Sequence, residues 1–370
     1  MLRKAAALVI VCATLSLGVS CSFFSNSNNR YVYAAIPGSS ELVAFREDPN
    51  SGVLTQIAGS PISAGQTVQA LALDPSGKCL YAANAGQNNV SLYTIGSDGS
   101  LTEVTPRTNV GTVPTLLALD SSGHLYVGNS GSFDISVLSV SCTASTPFSP
   151  VVQLSGATAP IGLSPLNLQL SPSGSVLYVT GQGEQGYIEA FPLSSGVLGS
   201  PVTGSPFTTG NNPYGLAINT AGTYLYTANK TDNTISEFCI ASTASSSCSG
   251  PDGSLIPLAD SPVGEQYSAP VSLLVDQSQT TLYAANQGST NVAAFTIASS
   301  GGLTMLTSSP FSAGSQPSYI AGDPSGNYLF VGNQSRPAIQ SFLLDESDGT
   351  LTSVGTYTVP GTPTSIVVTN

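Results

Sequence analysis

From residue 31 onward, apolar residues come in runs of four to six, rich in Val, Tyr, Leu and Ala, and bounded by clusters of Gly, Asn, Asp and Ser. Short apolar runs closed off by turn formers predict strands. No stretch after residue 30 sustains the apolar period of a helix. One run repeats along the chain: YVYAA from Tyr31, LYAAN from Leu80, LYVGN from Leu125, LYVTG from Leu177, LYTAN from Leu225, LYAAN from Leu282 and LFVGN from Leu329. The aromatic residues of these seven copies lie 45 to 57 residues apart. A period of that order built from short strands marks the blades of a β-propeller, each a four-stranded antiparallel sheet around a central channel. The predicted fold class is all-β, with seven blades.

Blade two shows the pattern whole, its strands lettered A to D from the channel outward. Strand A is predicted over residues 68–73, B over 79–83, C over 89–95 and D over 101–105. The A–B turn is Asp74-Pro75-Ser76-Gly77. Proline presets φ, aspartate bonds forward to the backbone, and glycine accepts a positive φ. The turn recurs at residues 120–123, 171–174, 219–222 and 323–326, and at 276–279 without its glycine. Gly59-Ser60-Pro61, Gly204-Ser205-Pro206, Asp260-Ser261-Pro262 and Ser309-Pro310 read as extended D-to-A crossings, where proline forfeits no ladder bond. The repeats begin on a B strand at Tyr31 and end on an A-type strand, Thr364 to Thr369. The C-terminal strand is therefore expected to serve as the inner strand of blade one and to close the ring, leaving no open edge.

The first residues follow another rule. Arg3 and Lys4 precede an apolar run from Ala5 to Leu17. A basic start and a short apolar run describe a secretory signal, too short to span a membrane. Cys21 after Ser20 fits a lipoprotein processing site, and Ser22 to Asn29 fits a polar tether. The expected organisation is a signal over residues 1–20, a lipidated cysteine and tether over 21–30, and the propeller over 31–370. The expected location is the cell envelope, with membrane contact through the lipid alone, or the medium. Formal net charge is −12, and without Arg3 and Lys4 six cations face twenty carboxylates. Such a surface repels nucleic-acid phosphates, so no nucleic-acid partner is expected.

Turns of the Asp-Pro-Ser-Gly type followed by LYAAN, LYVGN or LYTAN resemble the lactonase-like, YVTN-repeat seven-bladed propellers, and the resemblance runs from Tyr31 to the C-terminus. It implies the propeller fold. It also implies a range of activities, since that superfamily holds 6-phosphogluconolactonase-type enzymes, cycloisomerase relatives and exported proteins. Its enzymatic members share a Pro-Arg-His stretch on an A strand and an Asn-Glu after a B strand. Here the A strands begin Pro114-Thr115, Pro213-Tyr214, Pro270-Val271, Pro317-Ser318 and Pro363-Thr364, and no B strand ends in Asn-Glu. No catalytic residue carries over. The expected function is a ligand-binding or scaffold propeller. The alternatives are a lactone hydrolase acting on a sugar lactone and a protein-interaction module.

A residue present in every blade serves the fold, so candidate chemistry lies where the repeat breaks. Asn84, Asn129, Asn229, Asn286 and Asn333 share one slot and are expected to hold the B–C loops. The repeated tyrosines are expected to pack between sheets with their hydroxyls at an edge. His124, the single histidine, reads as a surface turn residue with no triad or metal site to build on. No phosphate-binding or calcium-loop motif is present, so no metal and no cofactor is expected. The repeat-breakers on the B–C side are Glu184, Lys230, Asp232 and Arg336, and the facing crossings add Asn212, Tyr214, Tyr267 and Tyr319. Charges, amides and tyrosines around a channel mouth suit a small polar ligand or sugar bound by a monomer. Cys239 and Cys248 bracket an insertion in blade five and are expected to form a disulfide. Cys79 and Cys142, one blade apart, are expected to remain buried thiols.

Overall fold

The computed structural model describes residues 29–142, 148–154, 164–245, 248–264 and 268–370. The signal, Cys21 and most of the tether lie outside these residues. Seven antiparallel sheets surround a channel, and every described element is a strand or turn. In blade two the strands are Val68–Leu73, Cys79–Asn84, Asn89–Ile95 and Leu101–Asn109. The A–B turns carry Gly77, Gly123, Gly174, Gly222 and Gly326 at positive φ, as their sequence requires.

The ring closes as the strand order demands. Ser365–Val368 pairs antiparallel with Arg30–Ile36, matching Val368 to Val32 and Ser365 to Ala35. Thr369 extends the seam in both directions. Its amide donates to the Tyr31 carbonyl at 3.0 Å, and its hydroxyl accepts from the Tyr31 amide at 2.9 Å. Blade one thus takes its inner strand from the far end of the chain.

The repeated tyrosines do more than fill space. Each is buried on strand B, and the hydroxyls of Tyr33, Tyr178, Tyr226 and Tyr283 reach the C–D turn of the next blade, whereas Tyr126 donates to Asp120 of its own A–B turn at 3.3 Å. Tyr33 donates to the Gly99 carbonyl at 2.8 Å, Tyr178 to Gly253 at 3.1 Å, Tyr226 to Gly301 at 2.8 Å and Tyr283 to Gly349 at 2.9 Å. These hydroxyls were expected at an edge; they rivet neighbouring blades instead, and burial pushes their pKa values up. The residue two positions earlier on strand B meets the same turn. Tyr31 covers Gly99, Tyr224 covers Gly301 and Tyr328 covers Gly52, with each glycine at positive φ and too close to the ring for a Cβ.

That slot corrects the reading of two cysteines. Cys79 holds it in blade two, and its neighbour across the interface is Cys142 at the end of strand C of blade three. The two are bonded, S–S 2.01 Å with Cα atoms 5.8 Å apart. They are not the thiols expected from sequence, because the start of strand B faces the next blade directly and a separation of one blade brings the two sulfurs together. The Cys239 and Cys248 sulfurs stand 1.90 Å apart, closing the blade-five insertion.

The serine-proline segments also differ from expectation. They are corners inside strand D. In blade six, strand D runs Leu303–Met305, breaks at Ser309-Pro310 and resumes as Phe311–Ser312, and both pieces pair with the same C strand, Asn291–Ile297. The break leaves a C-strand amide facing the corner, and the serine hydroxyl accepts it. The pairs are Ala44 to Ser60 at 2.9 Å, Ala190 to Ser205 at 3.2 Å, Glu237 to Ser261 at 2.8 Å and Ala294 to Ser309 at 3.0 Å.

Candidate functional site: the channel mouth

On the side of the B–C loops the channel opens into a cavity of about 630 Å³. Two positions per blade build it. The first is the second residue of strand A, or in blade one the residue just before it: Gln69, Thr115, Leu166, Tyr214, Val271, Ser318 and Thr364. The second is the residue after the asparagine slot: Ser130, Lys230, Gln287 and Gln334. Asn167, Ser272 and Tyr319 lie one position deeper on strand A and continue into a lower chamber of about 360 Å³. Leu71, Leu117, Leu168 and Leu273 supply the apolar part of that chamber's walls, and Gln169 and Ser365 add polar groups.

Lys230 is the one charged side chain among the described lining residues. Its ammonium lies 4.7 Å from the centroid of the Tyr214 ring, a cation–π contact. No described carboxylate pairs with it. Tyr214 is 37% exposed, so the ring faces the cavity as well as the cation. The Asn167 amide donates to the Tyr214 carbonyl at 2.6 Å, and Gln287 donates to Gln334 at 2.9 Å across the boundary of blades six and seven. Burial raises the Tyr319 pKa, so its phenol stays a neutral donor and acceptor.

The other predicted residues divide. Asp232 and Asn212 frame the loop that carries Lys230. Asp232 accepts from the Asn211 backbone at 2.7 Å and its side chain at 3.0 Å. Asn212, at φ 61°, accepts the Lys230 amide at 2.9 Å, and its own amide donates to Gln182. Glu184 is exposed on the blade-four loop and does not line the mouth. Arg336 sits outside the mouth, in a groove on blade seven. Tyr267 lies outside the described residues. Gln69, Thr115, Asn167, Gln287 and Gln334 were missed, although their positions relative to the strand-A start and the asparagine slot are a signal that sequence carries.

The asparagine slot is buried and structural: Asn84, Asn129, Asn229 and Asn286 are wholly inaccessible. Their amides clip the start of strand C, as in Asn129 to Asp134 at 2.8 Å and to Ser136 at 3.0 Å. His124 is less solitary than its sequence context suggested. Its Nδ1 lies 2.8 Å from Asp120 Oδ2, and its ring covers Gly196 in the slot that Tyr31, Tyr224 and Tyr328 use elsewhere. It belongs to an interblade contact on the face away from the mouth. Asp74 stands near the Cys79 and Cys142 sulfurs, but these are joined to each other and offer no thiolate to a metal.

Fold and site together define a closed seven-bladed propeller with a neutral, hydrogen-bonding mouth and one cation. The chain belongs to the seven-bladed β-propeller lactonase family, whose model matches residues 22–153 and 254–368. A 6-phosphogluconolactonase of Yersinia pestis is 24% identical over 334 residues, covering 89% of this chain and 94% of the relative. Among solved structures, a protein from Lactobacillus plantarum superposes with TM-score 0.75 at 20% identity, covering 92% of this chain and 99% of that one. The periplasmic gluconolactonase of Pseudomonas aeruginosa gives TM-score 0.72 at 19% identity over 92% of this chain and 99% of its own. Tyr214 and Lys230 lie between the two segments that the family model matches.

Proposed function

We propose that the protein binds a small, hydroxyl-rich ligand such as a sugar acid or sugar lactone in the channel mouth. The observation that carries this reading is the Lys230 ammonium held over Tyr214 and ringed by neutral amides and hydroxyls. Gln69, Asn167, Gln287 and Gln334 can exchange hydrogen bonds with ligand hydroxyls, the Tyr214 ring offers an apolar face to C–H groups, and Lys230 favours an oxygen bearing negative charge. Family membership supports a second reading, hydrolysis of a sugar lactone, in which Lys230 would stabilise the oxyanion of the tetrahedral intermediate. The described lining holds no carboxylate or imidazole to activate water, which favours binding over turnover. Two cystine bridges and the basic-apolar start of the chain support work outside the cytoplasm.

Calorimetric titration with gluconate, glucono-δ-lactone and glucose, run beside a lactone-consumption assay, tests both readings. Saturable binding weakened about tenfold by Lys230→Met, a magnitude typical of one charged hydrogen bond, is the expected result. Lactone consumption above the buffer rate, abolished by the same substitution, would favour hydrolysis. No saturable heat with any of the three would overturn the proposal.

A further inference from the structure

Blade seven breaks the asparagine clip. In blades two, three and five the slot amide donates to side chains five and seven residues on. Asn84 reaches Asn89 and Ser91 at 2.8 and 2.9 Å, and Asn229 reaches Thr234 and Ser236 at 2.9 and 2.8 Å. In blade six Asn286 keeps one such bond, to Asn291 at 2.9 Å. In blade seven the two positions are Ala338 and Gln340. Alanine offers no acceptor, and Gln340 turns its own amide to Ser353 at 3.2 Å. Asn333 is only 2% exposed, yet its Nδ2 donates to no described residue; its Oδ1 is unpartnered as well, as are those of Asn84, Asn129 and Asn286. Side-chain N–H groups left without an acceptor set this slot apart from those of blades two, three, five and six, and leave them available to an occupant.

The surroundings indicate which kind. Gly314, at φ 86°, passes so close over Asn333 that a Cβ there would stand 2.7 Å from the amide. Beside it Asn333 lines a groove of about 680 Å³ at the boundary of blades six and seven. Thr290, Thr356, Thr358 and Gln340 add hydroxyls and an amide, and Arg336 stands at the opening. Arg336 is exposed and pairs with no described carboxylate, in a chain of net charge −12. Guanidinium, amide N–H and threonine hydroxyls are all donors, the set that an oxyanion satisfies. The groove shares no lining residue with the channel mouth.

We propose that this groove is a second binding site, for a small molecule bearing a carboxylate or phosphate group, with Arg336 as its charge partner and the Asn333 amide as its buried donor. The site depends on the missing clip: where Ser91 or Ser236 would occupy the asparagine, blade seven leaves the amide free for a ligand.

The test titrates the ¹⁵N-labelled full-length protein with inorganic phosphate and, separately, with acetate, at constant ionic strength. The Asn333 side-chain amide and Arg336 Nε are followed by NMR. Saturable shifts at both groups are expected, and Arg336→Met should weaken binding about tenfold. Saturation by phosphate alone assigns a phosphate ligand, and saturation by acetate alone a carboxylate. Gln340→Ser supplies the hydroxyl that Ser91, Ser136 and Ser236 provide elsewhere. It should draw the Asn333 amide inward and weaken binding, with a melting temperature no lower than the wild type's. Linear, unsaturating shifts with both anions would overturn the proposal, as would equal binding by Arg336→Met or by a folded Gln340→Ser variant.

Discussion

Three glutamates lie buried on C strands: Glu47 and Glu237 at 1% exposure and Glu189 at 2%. Glu189 occupies the strand-C position that Ser91 and Ser136 hold in their blades, opposite the residue after the repeated tyrosine. Its Oε2 has no partner, and burial pushes its pKa up to about 7. Glu47 is pushed to about 7 by burial and by Asp323, against the pull of Arg30, whose guanidinium sits 2.8 Å from Asp323 and 3.9 Å from Glu47. Glu237 is raised by burial although its Oε1 accepts the Leu303 amide at 2.7 Å. Since the folded pKa values lie above the unfolded value, these groups favour the folded state fully below pH ~4.5, and that contribution is lost as pH rises through about 7. Urea unfolding should therefore show lower stability at pH 8 than at pH 5. Glu189→Gln should remove about 2.5 kcal/mol of that difference, the part of the linkage of a carboxyl pKa moved from 4.5 to about 7 that falls between pH 5 and pH 8. A pH dependence unchanged by the substitution would reject the assignment. Nothing at position 189 marks it in the sequence, because a glutamate between apolar neighbours reads the same on an exposed strand as on a buried one.

At the scale of the strand, the serine-proline corner explains how strand D bends without orphaning its partner. Proline has no N–H to lose, and the preceding serine supplies the acceptor that the broken ladder no longer offers. Ser309→Ala should destabilise the protein by about 1–2 kcal/mol, the cost of leaving the Ala294 amide without its acceptor, while Ser309→Thr should keep most of that stability. Urea midpoints of the two variants check this, and equal midpoints for Ala and Thr would exclude the hydrogen bond as the cause. The Gly-Ser-Pro repeat was visible in the sequence and its proline correctly placed where no ladder bond is lost. Its role inside strand D was not, because a proline in a run of turn formers looks the same at a corner as in a connection. Lys230, Tyr214 and Tyr319 were likewise legible as breaks in the repeat that reach the mouth. Glu184, Asp232 and Arg336 were equally conspicuous, yet strand and loop geometry directs them elsewhere.

For the whole molecule, stability depends on closing the ring. The last strand buries Ile366 to 2% exposure and half-buries Val367 and Val368, and Thr369 bonds to Tyr31. Deleting residues 363–370 should remove about 3–6 kcal/mol, counting one fully and two partly buried branched side chains. It should also expose the inner edge of blade one. Calorimetric melting and hydrogen exchange at Val32 to Ala35 report both effects. A deletion protein that keeps the melting temperature and the protection of Val32 to Ala35 would show that the seam contributes nothing.

Sequence alone determined the all-β class, the seven blades, the positions of the A–B turns and the use of the last strand to complete the first blade. These follow from local rules repeated at a fixed period: alternating burial, turn chemistry and the count of strand patterns at each end. Tertiary structure alone decided what lies across blade boundaries, namely the bridge of Cys79 to Cys142, the tyrosine rivets, the contact of His124 with Gly196, and the convergence of one residue from each strand A on the mouth. A repeat constrains every blade against itself. It says nothing about which neighbour a side chain meets until the ring closes and sets residues of successive blades, 63 apart in the case of the two cysteines, within bonding distance.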